Sequence, residues 1–313
     1  MASLVESFFS SETAPSNLDV SLATTREFIQ FHLKENRLFC FITSGGTTAP
    51  LEKNTVRFVD NISKGTRGAT SAEHFLNQGY AVIFLARRMS IQPFTRHLQL
   101  DEILDSLSDG TIHDNKVDFD LGPKGKKIFS MIEQYKKVKE HNLLLKVDFT
   151  SISDYLFLLR GISQLLSKCE KRAFFYLAAA VSDFFVPAAE LSEHKIQSRD
   201  STQLTLKLTP TPKLIPLLSK EWAPLSLLTT FKLETDPSLL ILKAKRAFTD
   251  TGPNHRVVVA NLLHETRRKV VLVLSHEKQH REIVNSLESG KEIEELIIKE
   301  LAQIHHDYIA ESN

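Results

Sequence analysis

The 313-residue sequence predicts an α/β fold built on a doubly wound, mostly parallel sheet. Three observations point there. Short, almost wholly apolar runs recur at 38–42, 80–86, 173–181 and 257–260, which is how strands covered on both faces read. Segments with apolar residues at helical spacing alternate with them. Small-residue turns follow two of the runs, at 43–47 and 178–183, where an open parallel sheet binds its ligands.

Taken in order, residues 1–18 are serine-rich, end near Pro15 and read as a mobile tail. Leu22, Phe28, Ile29, Phe31 and Leu33 predict a helix over 19–36. The run Leu38-Phe39-Cys40-Phe41-Ile42 is a strand that ends in the turn Thr43-Ser44-Gly45-Gly46-Thr47. A helix over 69–78, capped by Gly79, leads into a strand over 80–86. That order of strand, loop, helix and strand implies a right-handed crossover and parallel pairing. Helices are expected over 97–107 and, rich in lysine, over 125–145, then a strand at 146–149 and a helix over 153–167. The strongest strand signal is 173–181, whose small residues at the end let a ligand approach the backbone. Residues 202–209 alternate, with Leu204, Leu206 and Leu208 against Thr205 and Lys207, as in an amphipathic strand that a partner subunit would cover. Helices at 212–222, 237–249 and 291–308 and strands at 227–233, 257–260 and 270–274 follow. Together they complete one Rossmann-like domain over 19–313 with a protruding β-flap at about 188–212.

Hydrophobic residues make up 42%, charged residues 25%, and the net charge is +1. No broad field attracts nucleic acid, so any bound anion must be held by local geometry. Cys40 and Cys169 sit beside apolar segments without metal-ligand spacing, which argues against a disulfide framework and fits a reducing compartment. The first acids, Glu6 and Glu12, precede any base, unlike a secretory or transit peptide. No apolar run approaches the ~20 residues of a membrane span. The expectation is a cytoplasmic protein with no nucleic-acid or membrane partner.

The carboxyl ends of the strands select 43–47, Arg87-Arg88, 178–183, 231–235 and Asn261, together with the loop 57–68 that opens a helix. Ser63-Lys64-Gly65-Thr66-Arg67-Gly68 has two glycines three apart at a helix start, where free amides favour anions. The Walker spacing is absent. Each feature has a plainer reading: a helix cap, an ordinary turn, and, for Asn61, Arg57 and Lys195, solvated loop residues. Asp183 could bind amide or hydroxyl groups or cap the next turn. Tyr135 and Lys139 match the YxxxK of reductases, and Arg87-Arg88 could read a 2′-phosphate. An NADP-dependent reductase is therefore the rival reading, against which the GxGxxG spacing is missing. His276 and His280 stand four apart without HExxH, and no protein metal site is assigned.

As a set, these segments resemble phosphopantothenoylcysteine synthetase, the phosphopantothenate–cysteine ligase of coenzyme A biosynthesis. The motifs are TSGGT (43–47), PLE (50–52), VRFVDNISKGTRGATSAEHFL (56–76), FYLAAAVSDFFVP (175–187), EHKIQS (193–198), FKLET (231–235) and VVVANLL (257–263), in collinear order. The resemblance implies two steps. The carboxylate of 4′-phosphopantothenate attacks the α-phosphorus of a nucleoside triphosphate and expels pyrophosphate; the amine of L-cysteine then attacks the acyl-nucleotidylate. It also implies that Gly45, Ser63, Gly65 and Gly68 hold phosphates and sugar, with Phe231 and Asn261 around base and ribose. Asn61, Ala179, Ala180 and Asp183 would hold phosphopantothenate, Lys195 would neutralise charge in the first step, and Arg57 would reach across a dimer interface. FKLET resembles the stand-alone eukaryotic type, which implies ATP rather than CTP, with Mg2+ carried on the phosphates. The flap resembles the family's dimerisation strands, which implies a homodimer with shared sites. A homologue that binds nucleotide without catalysis stays open, although Asn61, Asp183 and Lys195 are all present.

Overall fold

The computed structural model describes residues 2–98, 100–105, 107–113, 116–119, 122–197, 203–276, 280–286 and 290–311. Its centre is an eight-stranded sheet. In chain order the strands are β1 (Phe39–Ser44), β2 (Ala81–Arg87), β3 (Leu144–Phe149), β4 (Ala173–Leu177), β5 (Leu227–Glu234), β6 (His255–Leu262), β7 (Lys269–Leu274) and β8 (Arg281–Val284). Across the sheet they lie β8-β7-β6-β5-β4-β1-β2-β3. The six from β3 to β6 pair in parallel, and β7 and β8 are added antiparallel.

Layers of helices explain the apolar runs. The larger helices are α1 (Ala2–Ser11), α2 (Leu18–Lys34), α3 (Thr66–Asn77), α4 (Gly125–Glu140), α5 (Ile152–Leu166), α6 (Pro237–Arg246) and α7 (Ile293–Ala310). Along β1, Cys40 and Ile42 pack towards α3 and α7, whereas Phe39 and Phe41 pack towards α2 and α5. On β4, Phe174 and Tyr176 face the first layer and Phe175 and Leu177 the second. Period-two alternation between two apolar layers makes successive positions of the central strands apolar, with polar residues such as Thr43, Ser44 and Asn261 towards the strand ends. Phe75 of α3 anchors the first layer, edge-on to Tyr80, Phe174 and Tyr176 at 5.1 to 5.5 Å. Truncating such a buried ring costs about 3–5 kcal/mol.

Several expectations change. The serine-rich start holds α1, because Val5 and Phe8, one turn apart, are buried in the second layer. Phe8 packs on Phe185 at 5.3 Å, the Arg160 guanidinium lies 3.6 Å over Phe9, and the Glu12 carboxylate accepts the Ala188 N–H at 2.9 Å. The lysine-rich helix stops at Glu140, where Asn142 takes a left-handed conformation that turns the chain into β3. The region 97–107 holds a shorter helix, Leu100–Asp105, followed by an unforeseen hairpin pairing Leu107–His113 with Lys116–Phe119. Pro216, in the first turn, keeps the 212–222 helix from starting before Ile215; it runs over Ile215–Leu217 and widens into a π turn over Leu218–Trp222. In the flap, Thr202 lies outside the described residues, and 203–208 form no strand. Thr209–Pro210 alone of this stretch pairs, with Phe184–Phe185. An amphipathic strand needs an edge and a cover, and Leu204, Leu206 and Leu208 remain 52%, 40% and 40% exposed in the single chain.

Candidate active site

Strand order changes direction between β1 and β4: the chain runs from β1 outward to β3 on one side and from β4 outward on the other. The carboxyl ends of two such strands diverge into a crevice. The turn after β1 and the loop after β4 meet there and are sewn together by backbone bonds. Ala178 N–H donates to Thr43 O at 3.2 Å, Ala180 N–H to Gly45 O at 2.8 Å, and Thr47 N–H to Ala180 O at 3.0 Å. Side chains add two more, Ala179 N–H to the Thr43 hydroxyl at 3.2 Å and Ser182 N–H to the Thr47 hydroxyl at 2.9 Å.

The loop carrying Asn61 closes over this seam. Asn61 N–H donates to Thr47 O at 3.3 Å, and a Cβ on Gly46 would collide with the Asn61 carbonyl. Gly46 is glycine because two backbones touch there. The same logic holds at the start of α3, where a Cβ on Gly68 would overlap the Ser44 side chain. The Ser44 hydroxyl also donates to Gly65 O at 3.0 Å. Thus Gly45, Asn61, Gly65 and Gly68, spread over the turn after β1, one loop and one helix start, converge with Ala179 and Ala180. Ser63 is half-buried between Asn61 and Gly65.

Side chains close the starts of α5 and α6, whereas those of α2, α3, α4 and α7 carry no side-chain cap. Ser151 and Asp154 form a capping box on α5, and Asp236 caps α6. No side chain caps α3, whose first position is the left-handed Gly65. Its first-turn N–H groups stay free to take an anion. Phe231, near the end of β5, stands edge-on to Tyr176 at 4.8 Å, and Tyr176 is fixed by a 2.7 Å bond with Ser71 of α3. Asn261 is buried near the end of β6, beside Leu233 in the register.

A second group of residues gathers round Glu52, an acid to which sequence reading gave no role. Its buried carboxylate accepts Arg57 N–H at 2.9 Å, Val56 N–H at 3.2 Å, the Arg57 guanidinium at 2.9 Å and Ile196 N–H at 3.4 Å. Chiefly through the Arg57 N–H, these donors hold the Glu52 carboxyl below the usual carboxylate range. Arg57 also donates to Ile196 O at 3.1 Å, so Glu52 ties Arg57 to the flap residue next to Lys195. No spacing signals this role, because an acid in a loop ordinarily faces water. Lys195 is exposed, and no acid pairs with it among the described residues. Asp183 is exposed too and accepts from Lys213. A cavity of about 410 Å³ opens beside Ala179 and Asp183, floored by Leu159 and Leu177 and rimmed by Thr211 and Lys213.

Residues 161–309 match the family described as the DNA/pantothenate metabolism flavoprotein C-terminal domain. The phosphopantothenate–cysteine ligase CAB2 of Saccharomyces cerevisiae is 40% identical over 331 aligned residues, covering 98% of this chain and 87% of the yeast protein. The chain belongs to the phosphopantothenate–cysteine ligase family. The Homo sapiens phosphopantothenate–cysteine ligase is 39% identical, with 89% and 90% of the two chains covered. A solved structure of a Cab2 mutant in complex with phosphopantothenate-cysteine superposes with a TM-score of 0.85 at 37% identity, over 97% of this chain and 98% of that one.

Membership in the ligase family also removes the reductase reading, and the geometry agrees. Arg87 is held by Asp60 at 2.6 Å with Gly45 packed on its Cβ, so it is tied down beside the seam. Tyr135 packs against Phe94 at 5.5 Å on α4.

Proposed function

We propose that this chain is an ATP-dependent ligase that joins 4′-phosphopantothenate to L-cysteine through an acyl-adenylate, releasing pyrophosphate and AMP. The seam at the β1/β4 divergence carries the reading: it sets the uncapped start of α3 beside Asn61, Ala179 and Ala180. Such a site holds a triphosphate and an acyl donor side by side, which is what attack on an α-phosphorus needs.

In the first step the phosphopantothenate carboxylate, lying along Asn61, Ala179, Ala180 and Asp183, attacks the α-phosphorus. Gly45, Ser63, Gly65 and Gly68 hold the phosphates and sugar through backbone amides, and Phe231 and Asn261 flank the base and ribose. Charge builds on non-bridging oxygens, and fixed donors stabilise it without reorganising. Lys195, exposed on its flap with no acid paired to it among the described residues, supplies the positive charge. In the second step the cysteine amine attacks the acyl carbonyl and the adenylate leaves. Magnesium fits as an ion carried by the triphosphate, because among the described residues no three His, Cys, Asp or Glu side chains converge to hold one.

The functional unit is a homodimer. Leu204, Leu206 and Leu208 on the flap and Phe184 just before it are exposed apolar side chains, which a second copy would cover. Arg57 then faces the partner's site. A cytoplasmic location fits the buried free cysteines, and among the described residues no helix is long and apolar enough to cross a membrane.

The test supplies phosphopantothenate, cysteine and magnesium with ATP or CTP and measures pyrophosphate together with AMP or CMP. Product with ATP at a several-fold higher kcat/KM than with CTP is expected. No pyrophosphate with either nucleotide rules out the ligase reading, and a preference for CTP overturns the choice of base. A monomer in sedimentation at assay concentrations overturns the dimer.

A further inference from the structure

Arg67 lies inside the Ser63–Gly68 segment, where a cation would be expected to point at phosphate. It turns the other way. Its guanidinium donates to Glu294 of α7 at 2.9 Å and to the Thr266 carbonyl in the turn between β6 and β7. The side chain is 17% exposed and Glu294 12%, so the pair is largely shielded from solvent and salt. Thr266 belongs to the turn that follows Asn261, and that turn is also tied to β5 by Leu263 N–H to Glu234 O at 3.0 Å. Arg67 therefore spans the two walls of the cleft: the α3 start that faces the phosphates and the β6–β7 turn beyond the base and ribose. A planar fork that meets a carboxylate and a carbonyl at once fixes distance and angle together, which a lysine cannot do.

Further along the same pair of helices stands a second ionic cluster that does not touch the cleft. Arg96 donates to Glu73 of α3 and, through two nitrogens, to Glu292 just before α7. It offers a built-in control, since both clusters join α3 to the α7 region but only Arg67 reaches the β6–β7 turn.

We propose that Arg67 is a positioning residue for the nucleotide, setting the cleft width by holding the β6–β7 turn against the start of α3. The proposal rests on the nucleotide placement of the ligase reading. Loss of the tether widens the cleft and weakens nucleotide binding before it affects the chemistry of the acyl group.

The experiment compares Arg67→Ala, Arg67→Lys and Arg96→Ala in the full-length chain, by steady-state kinetics and by direct titration with ATP and magnesium. For Arg67→Ala the nucleotide KM and Kd should rise about tenfold, as loss of hydrogen bonds to a charged group implies, with kcat changed less than about threefold. The KM values for phosphopantothenate and cysteine should stay within about twofold. Arg67→Lys should recover part of the loss, and Arg96→Ala should lower Tm while leaving nucleotide KM near wild type. The proposal is overturned if Arg67→Ala binds ATP like wild type, or if Arg96→Ala raises the nucleotide KM as much. A wild-type chain that binds ATP but makes no product refutes the ligase reading, and the titration still decides the tether. A wild-type chain that binds no ATP refutes both.

Discussion

The two sides of the candidate site are built differently. On the cradle side the contacts described are internal: Gly46 against Asn61, Gly68 against Ser44, Ser71 on Tyr176, and the Arg67 ion pair binding α3 to α7. On the flap side Lys195 and the Asp183–Lys213 pair stand in solvent, and Leu204, Leu206 and Leu208 are only partly covered. A folded cradle beside an exposed flap teaches that, under the proposed reading, nucleotide recognition would be a property of one chain, whereas the charge-neutralising half would be completed by a ligand and a second copy.

Gly46→Ala should give the largest effect, because its Cβ has only backbone to displace. Turnover should fall below detection and stability by about 3 kcal/mol or more, read by product assay and denaturant melts. A folded, active Gly46→Ala protein would mean that the seam is looser than described. Lys195→Gln attacks the flap side instead. First-step rate should drop about 10²–10³-fold, while the melting curve and ATP titration stay unchanged; a rate near wild type removes Lys195 from the chemistry.

Acid should loosen the molecule from within. His305 is buried between the Tyr80 hydroxyl at 2.8 Å and the Lys171 carbonyl at 2.8 Å, and burial lowers its pKa to about 4. His255 is likewise lowered to about 4 by burial. Unfolded histidine binds its proton near pH 6.5, so between there and pH 4 the unfolded state holds more protons. Stability is complete above that window and falls through it as pH drops, by up to about 3 kcal/mol per histidine. Glu292 extends the loss downward. Burial would raise its pKa, but His74 and Arg96 outweigh that and pull it to about 2, so its contribution fades as pH falls from its unfolded value towards 2. Tm measured against pH should show this slope, and His305→Gln should flatten the upper part; an unchanged slope assigns the protons elsewhere.

Leu206→Asp should act least on the chain itself. Being exposed, it should shift Tm little, within about 0.5 kcal/mol, yet raise the dimer dissociation constant about tenfold or more in sedimentation. Identical association would place the interface elsewhere.

Much of the sheet was legible because central strands are apolar on both faces, and β1, β2, β4 and β6 appear as uninterrupted runs. The edge was harder. β8 shows only Ile283 buried, too short a pattern to read as a strand. Helix α1 carried a usable signal, Val5, Phe8 and Phe9 at helical spacing, which the surrounding serines masked. The glycines of the cradle were visible as residues, but not the reason for them, since what a missing Cβ makes room for lies elsewhere in the chain. Glu52 was invisible for the same reason: its donors come from Val56, Arg57 and Ile196, and the last is brought near by the fold alone.

The docking of α1 bears on how the chain is assembled in time. A ten-residue helix is marginal in water, and the groups that cover it, Phe157, Phe185 and the Ala188 amide, belong to chain made much later. Phe9 can meet Phe157 and Arg160 once α5 has been made, but until translation has passed Ala188 the Phe185 ring and the Ala188 amide are missing and the cover of α1 is incomplete. The same contacts, Phe8 on Phe185 and Glu12 on the Ala188 amide, join the N-terminal segment to the root of the flap, so neither is complete without the other.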